Sequence, residues 1–125
     1  MNTSVCGILR QNGLVLIAKR AAKGALGGKW EFPGGKVEPF ESPQEALRRE
    51  FAEELAIRVE VHKLVSETTF SHQGRIFKLL AFEVSTQEEP TLCGEHTELR
   101  WVSLEQLQEF DFAESDKGLL PLRLT

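Results

Sequence analysis

The chain has 125 residues, 41% hydrophobic and 27% charged, ordinary material for one globular domain spanning residues 1–125, with no disorder signature. A net charge of −4 argues against binding a nucleic-acid polymer, though not against a nucleotide whose phosphates are neutralised by bound cations. No apolar run approaches membrane-spanning length, and the first residues enter a strand pattern without the basic and apolar regions of a leader, so a cytoplasmic protein is expected.

Residues 3–10 and 14–20 are rich in β-branched and apolar residues, and Gln11-Asn12-Gly13 between them signals a hairpin. The loop GALGGK, residues 24–29, is flexible by composition, and Trp30-Glu31-Phe32 reads as a short strand ending at Pro33. Gly34 and Gly35 come next, forming a loop whose backbone can approach an ion or phosphate closely. A helix is predicted from Ser42, with Pro43 at its first position and Glu45 completing a capping box, and it runs to Leu55. Leu47, Phe51 and Leu55 share the stripe expected to face the core. Residues 58–69 and 75–84 alternate like strands around a turn at Ser71-His72-Gln73-Gly74, and residues 87–94 form a polar loop. A short strand at 98–102 leads to a helix capped by Ser103 and ending near Glu109. A final short helix is expected at 118–122. Cys6 and Cys93 match no metal spacing and read as reduced thiols, buried or half-buried. Helices interrupting strands in this order indicate an α/β fold with a mixed sheet.

On the central helix Glu50, Glu53 and Glu54 fall together, since positions three and four apart are neighbours. Such a cluster is either a solvated acidic face or a site for a hard divalent cation, which takes oxygen ligands. Arg49, one turn before Glu53, can orient that carboxylate, and Glu41 lies just before the cap.

Gly35, Glu41 and the run Arg49-Glu50-Phe51-Ala52-Glu53-Glu54-Leu55-Ala56-Ile57 closely resemble the Nudix box, G-x5-E-x7-R-E-U-x-E-E-x-G-U. The stretch KWEFPGGKVE also resembles the lead-in of MutT-like members. This resemblance implies the Nudix fold, a curved mixed sheet between helices in an α/β/α sandwich. It further implies a Mg²⁺- or Mn²⁺-dependent pyrophosphohydrolase of nucleoside triphosphates, with oxidised nucleotides such as 8-oxo-dGTP as the leading substrates; the compact chain shows no obvious dimerisation extension, so a monomer is expected over a dimer. An ADP-ribose or nucleotide-sugar pyrophosphatase and a non-catalytic nucleotide-binding regulator are the alternatives. The implied metal ligands are Glu50, Glu53, Glu54 and a carbonyl at Gly34, with Glu50 also serving to activate water and Arg49 to orient a carboxylate. Glu95 is the candidate loop acid and Glu98 the fallback, while His62, His72 and His96 read as surface residues. Arg20, Lys36, Phe70, Arg75 and Asp116 stand where MutT-like proteins contact nucleotides. A phenylalanine near a strand end such as Phe70 is more often core, and Asp116 reads also as a cap for the last helix or as solvated charge. Three departures stand out: Ala56 in place of the last glycine, the aromatic Phe51 at an aliphatic position, and Phe40 in place of a glycine, where it would crowd the loop presenting Glu41.

Overall fold

The computed structural model of the protein describes residues 2–21 and 27–124, so the expected flexible loop at 24–29 falls partly outside the described residues. Its strands are β1 (Asn2–Gln11), β2 (Leu14–Arg20), β3 (Trp30–Glu31), β4 (Gly34–Lys36), β5 (Glu60–His72), β6 (Arg75–Ser85) and β7 (His96–Val102). Helix α1 covers Pro43–Leu55, a 3₁₀ turn covers Glu105–Glu109, and α2 covers Glu114–Lys117. The path β3-β2-β1-β6-β5 carries β7 on β2 and β4 on β1. β1 is the axis: it runs parallel to β6 from Asn2↔Phe77 to Leu9↔Val84, while β4 pairs antiparallel along it from Ser4↔Lys36 to Cys6↔Gly34.

Alternation along β1 sends its side chains to two cores, as a strand with both faces covered requires. Val5 and Leu9 join Leu47, Phe51 and Leu55 of α1, whereas Cys6 and Ile8 join Trp30, Phe32, Leu107, Phe112 and Leu119 on the opposite face. The sheet therefore lies between α1 and the C-terminal segment, the expected α/β/α arrangement. The predicted stripe of α1 is fully buried, each residue contributing about 1.5–3 kcal/mol of transfer free energy. The aromatic ring at position 51 is accommodated by Gly7 of β1, where an added Cβ would stand 2.5 Å from Phe51 Cε1.

The two ends of α1 explain how the site is placed. At the N-terminus Ser42 and Glu45 form the reciprocal capping box. At the C-terminus Ala56 takes the left-handed conformation, φ 56° and ψ 36°, which costs a residue with a Cβ about 1 kcal/mol. The loop between β6 and β7 satisfies the helix's last carbonyls: the N–H groups of Thr91 and Cys93 donate to Leu55 O and Glu54 O at 2.9 and 3.3 Å. That docking sets Glu95 and the start of β7 beside the acidic face.

Several expectations are corrected. Gly34–Lys36 is a strand and not a loop, because β1 offers it a ladder partner. Phe40 does not crowd Glu41; its side chain is fully exposed and the departure sits in the backbone, at φ 67°. Cys6 is buried as expected, but Cys93 is exposed. Ser103 does receive the Gln106 N–H at 3.2 Å, yet the segment it caps is a 3₁₀ turn. The last helix lies at Glu114–Lys117, earlier than expected, and Asp116 is inside it and buried, with no side-chain bond capping its first turn.

Candidate active site

The helix presents its charges in an ordered array. Arg49 donates through Nε and Nη2 to both Glu41 oxygens at 2.9 Å, a two-pronged pairing that suits the planar guanidinium. Its Nη1 reaches Glu50 Oε1 at 2.9 Å and Glu53 Oε1 at 3.1 Å, and Nη2 also donates to Lys36 O at 3.0 Å. Arg49 thus ties three acids of α1 and its lead-in to strand β4. These hydrogen bonds raise its own pKa above the ordinary arginine value and, with the Glu38 N–H, hold Glu41 down at about 2. Glu50 lies flat against β4: a Cβ at Gly35 would be 2.5 Å from its carboxylate, so any larger residue there would displace that carboxylate from its place.

Glu54 sits deeper. Burial pushes its pKa well up from the carboxylate range, followed by a hydrogen bond with Glu50 and by the negative charges of Glu50 and Glu31. Its Oε1 is buried without a hydrogen-bond partner.

A cleft of about 300 Å³ opens beside this face between β4, the β5–β6 hairpin and α2. Arg20, Gly34, Gly35, Lys36, Phe70 and Asp116, all expected from the sequence, line it together. Phe70 stacks on Phe77 with centroids 5.1 Å apart and planes 10° apart, forming an aromatic wall. Lys36 Nζ stands 5.5 Å above the Phe77 ring. At the far end Asp116 Oδ2 accepts the Phe32 N–H at 2.8 Å and Oδ1 accepts the Ser115 hydroxyl at 2.7 Å. Burial and the charge of Glu31 nonetheless lift its pKa to about 7 against those hydrogen bonds.

Not every expected residue is brought in. Arg75 is exposed at the hairpin turn, opposite His72 in register, and does not line the cleft. Glu95 is exposed just before β7; its carbonyl accepts the Ala21 N–H at 3.3 Å and its charge acts on Arg20. Glu98 is paired with Arg100.

His96 is a correction. It is buried, 9% exposed, with Nε2 2.8 Å from Glu31 Oε2 and Nδ1 3.5 Å from Glu54 Oε1. Glu31, which sequence reasoning passed over, is buried as well and accepts both 3.1 Å contacts from Arg20 Nη1. Its only sequence signal was an acid between two aromatics in a strand pattern, where a covered sheet leaves no room for an unpaired charge.

Hard oxygen donors are what a divalent ion such as Mg²⁺ takes, and the acidic face meets that chemistry. The glycine cradle that seats Glu50 against β4, with the Glu54 carboxylate beside it, fits an ion on this face. Among the described residues no three His, Cys, Asp or Glu side chains converge on a metal position as they stand, and Glu53 is turned toward Arg49. No helix among the described residues is long and apolar enough to cross a membrane.

A family model described as "NUDIX domain" matches residues 1–122. The CTP pyrophosphohydrolase of Escherichia coli (strain K12) is 39% identical over 116 residues, covering 93% of this chain and 86% of that one. The 8-oxo-dGTP diphosphatase of the same organism is 31% identical over 115 residues, covering 91% and 89%. The solution structure of the E. coli ORF135 protein superposes with a TM-score of 0.82 at 37% identity, covering 96% of this chain and 86% of that one.

Proposed function

The chain belongs to the NUDIX domain family of hydrolases, and from that premise we propose that it is a Mg²⁺-dependent pyrophosphohydrolase cleaving nucleoside triphosphates to a nucleoside monophosphate and pyrophosphate. One observation carries the reading: a cleft with an aromatic wall and a buried acid at one end meets, at Gly34–Lys36, a helix face of three glutamates. Phosphates and nucleoside have separate, adjoining places.

Nudix hydrolases generally use divalent ions such as Mg²⁺, which neutralise phosphate oxygens and lower the pKa of bound water; Mn²⁺ would serve the same donors. In this chain Glu50, Glu53, Glu54 and the Gly34 carbonyl are the residues to hold it, with Glu95 as the further acid from its loop. Arg49 shares its guanidinium between Glu50 and Glu53, which keeps like charges adjacent on one face when no ion is bound. Lys36, on the strand where the cleft meets the acidic face, and Arg20 in the cleft lining supply positive charge beside the place assigned to the phosphates.

The nucleoside end has its own logic. Phe70 offers a ring face to a base. Asp116, titrating near neutrality, can accept from a base edge when ionised and also donate when protonated. An oxidised guanine nucleotide such as 8-oxo-dGTP is the leading substrate. A second reading, a pyrimidine triphosphate, is favoured by the 39% identity to the relative named CTP pyrophosphohydrolase. Every acid of the box is present, so nothing favours a non-catalytic binder. The test is kcat/KM for 8-oxo-dGTP, dGTP, CTP, dCTP and ADP-ribose with Mg²⁺. Triphosphates should be turned over with a base preference that Asp116→Ala flattens. ADP-ribose outrunning every triphosphate would overturn the proposal.

A further inference from the structure

Four charged or ionisable side chains from four elements form one line through the protein. Arg20 closes β2, Glu31 ends β3, His96 opens β7 and Glu54 lies in the last turn of α1. Glu31 occupies the middle, contacting Arg20 on one side and His96 on the other. The His96 side chain is only 5% exposed and its far nitrogen, Nδ1, faces the orphaned Glu54 Oε1. These are the only two buried side-chain polar atoms without a hydrogen-bond partner among the described residues, and they face each other. One end of the line borders the nucleotide cleft; the other is an acid of the helix face.

We propose that His96 is a positioning residue that holds Glu54 for the divalent ion, and that Glu31 anchors both His96 and Arg20, tying the cleft to the acidic face. The proposal rests on the metal-dependent reading of the function and deepens it. The physical reason is that a half-buried carboxylate left free to rotate loses the orientation a small cation demands, and a polar side chain standing 3.5 Å behind it restricts that rotation. The His96 ring can serve because Glu31 fixes its other nitrogen, Nε2, so the plane of the imidazole is set before any ion arrives. Glu31 in turn cannot be idle: a buried carboxylate is tolerated here because Arg20 and His96 satisfy it. Its charge also acts on Asp116 and Cys6, so the line reaches the cleft floor.

The two ring nitrogens can be separated by substitution. His96→Asn places an amide where Nδ1 was and keeps the contact toward Glu54; His96→Gln places one where Nε2 was and keeps the contact toward Glu31. Mn²⁺ affinity, read by electron paramagnetic resonance with no nucleotide present, is the primary measurement, and melting temperature is recorded alongside. His96→Ala and His96→Gln should weaken Mn²⁺ binding about 10-fold, while His96→Asn stays within about 3-fold of the natural protein. Glu31→Gln should both weaken Mn²⁺ and raise KM for the nucleotide, since it releases Arg20 as well, whereas His96→Gln should leave KM nearly unchanged. A merely structural role would lower melting temperature in all variants without this split. Equal Mn²⁺ affinity in the Asn and Gln variants, or no loss in the Ala variant, overturns the proposal. Failure of the natural protein to bind Mn²⁺ would instead bring down the metal-dependent reading, and this proposal with it.

Discussion

Asp116→Asn should stabilise the protein at alkaline pH and do so far less at acid pH. Asp116 is 4% exposed, and its pKa moves from an ordinary 3.8 to about 7, first through burial and then through the charge of Glu31. Below the ordinary value both folded and unfolded chains carry the proton. Between 3.8 and about 7 the unfolded chain releases it while the folded one keeps it, so stability falls as pH rises. Above that window the loss is complete, about 4 kcal/mol for roughly three units. Asparagine keeps the shape, accepts the Phe32 N–H through its oxygen and can donate to Ser115 once that hydroxyl turns, but it has no proton to lose. Relative to the natural protein the variant should therefore gain about 2–3 kcal/mol between pH 5 and pH 8. Urea unfolding in EDTA, followed by tryptophan fluorescence at both pH values, reads this directly. A substitution effect of equal size at the two pH values would refute the reasoning, because it would mean that Asp116 is ionised throughout.

Glu53→Gln should abolish most turnover at saturating Mg²⁺ while metal-free stability stays within about 0.5 kcal/mol, since the side chain is 60% exposed and loses only a surface pairing with Arg49; near-normal turnover would remove Glu53 from the metal set. Millimolar Mg²⁺ or Mn²⁺ should raise the melting temperature beyond the effect of NaCl at matched ionic strength, by about 1.4 kcal/mol of stability at tenfold excess over Kd. An equal rise in NaCl would leave only screening. Ala56→Gly should stabilise the fold by about 1 kcal/mol in chemical denaturation by releasing the left-handed strain, with kcat unchanged; destabilisation would show that the helix exit is held elsewhere.

The features legible in the sequence were local. Leu47, Phe51 and Leu55 lie one turn apart, so periodicity alone marks the core stripe, and the same spacing gathers Glu50, Glu53 and Glu54. The hairpin at Asn12-Gly13 is set by its turn residues, with Asn12 at φ 54° and Gly13 at φ 78°. The features that escaped were created by distant partners. His96 looks like any loop-end histidine until the docking of Thr91 and Cys93 on the end of α1 lays it against Glu54, and β3 brings up Glu31. β4 has no strand propensity of its own, since two of its three residues are glycine; the exposed ladder of β1 makes it a strand. α2 is four residues long, too short for any periodicity, so the sequence sets the cleft's end acid outside a helix that in fact contains it. Gly7 reads as an ordinary strand residue, although it decides whether a phenylalanine fits at position 51.

The most direct test of the central claim is the product of a single turnover. The preferred triphosphate is incubated with protein and Mg²⁺, and the products are separated by ion-exchange chromatography before any secondary hydrolysis. Nucleoside monophosphate and pyrophosphate in equal amounts, with none formed in EDTA or by Glu53→Gln, is the expected result. Nucleoside diphosphate and orthophosphate would place the cut at a different bond and contradict the assignment of phosphates to the acidic face and nucleoside to the cleft.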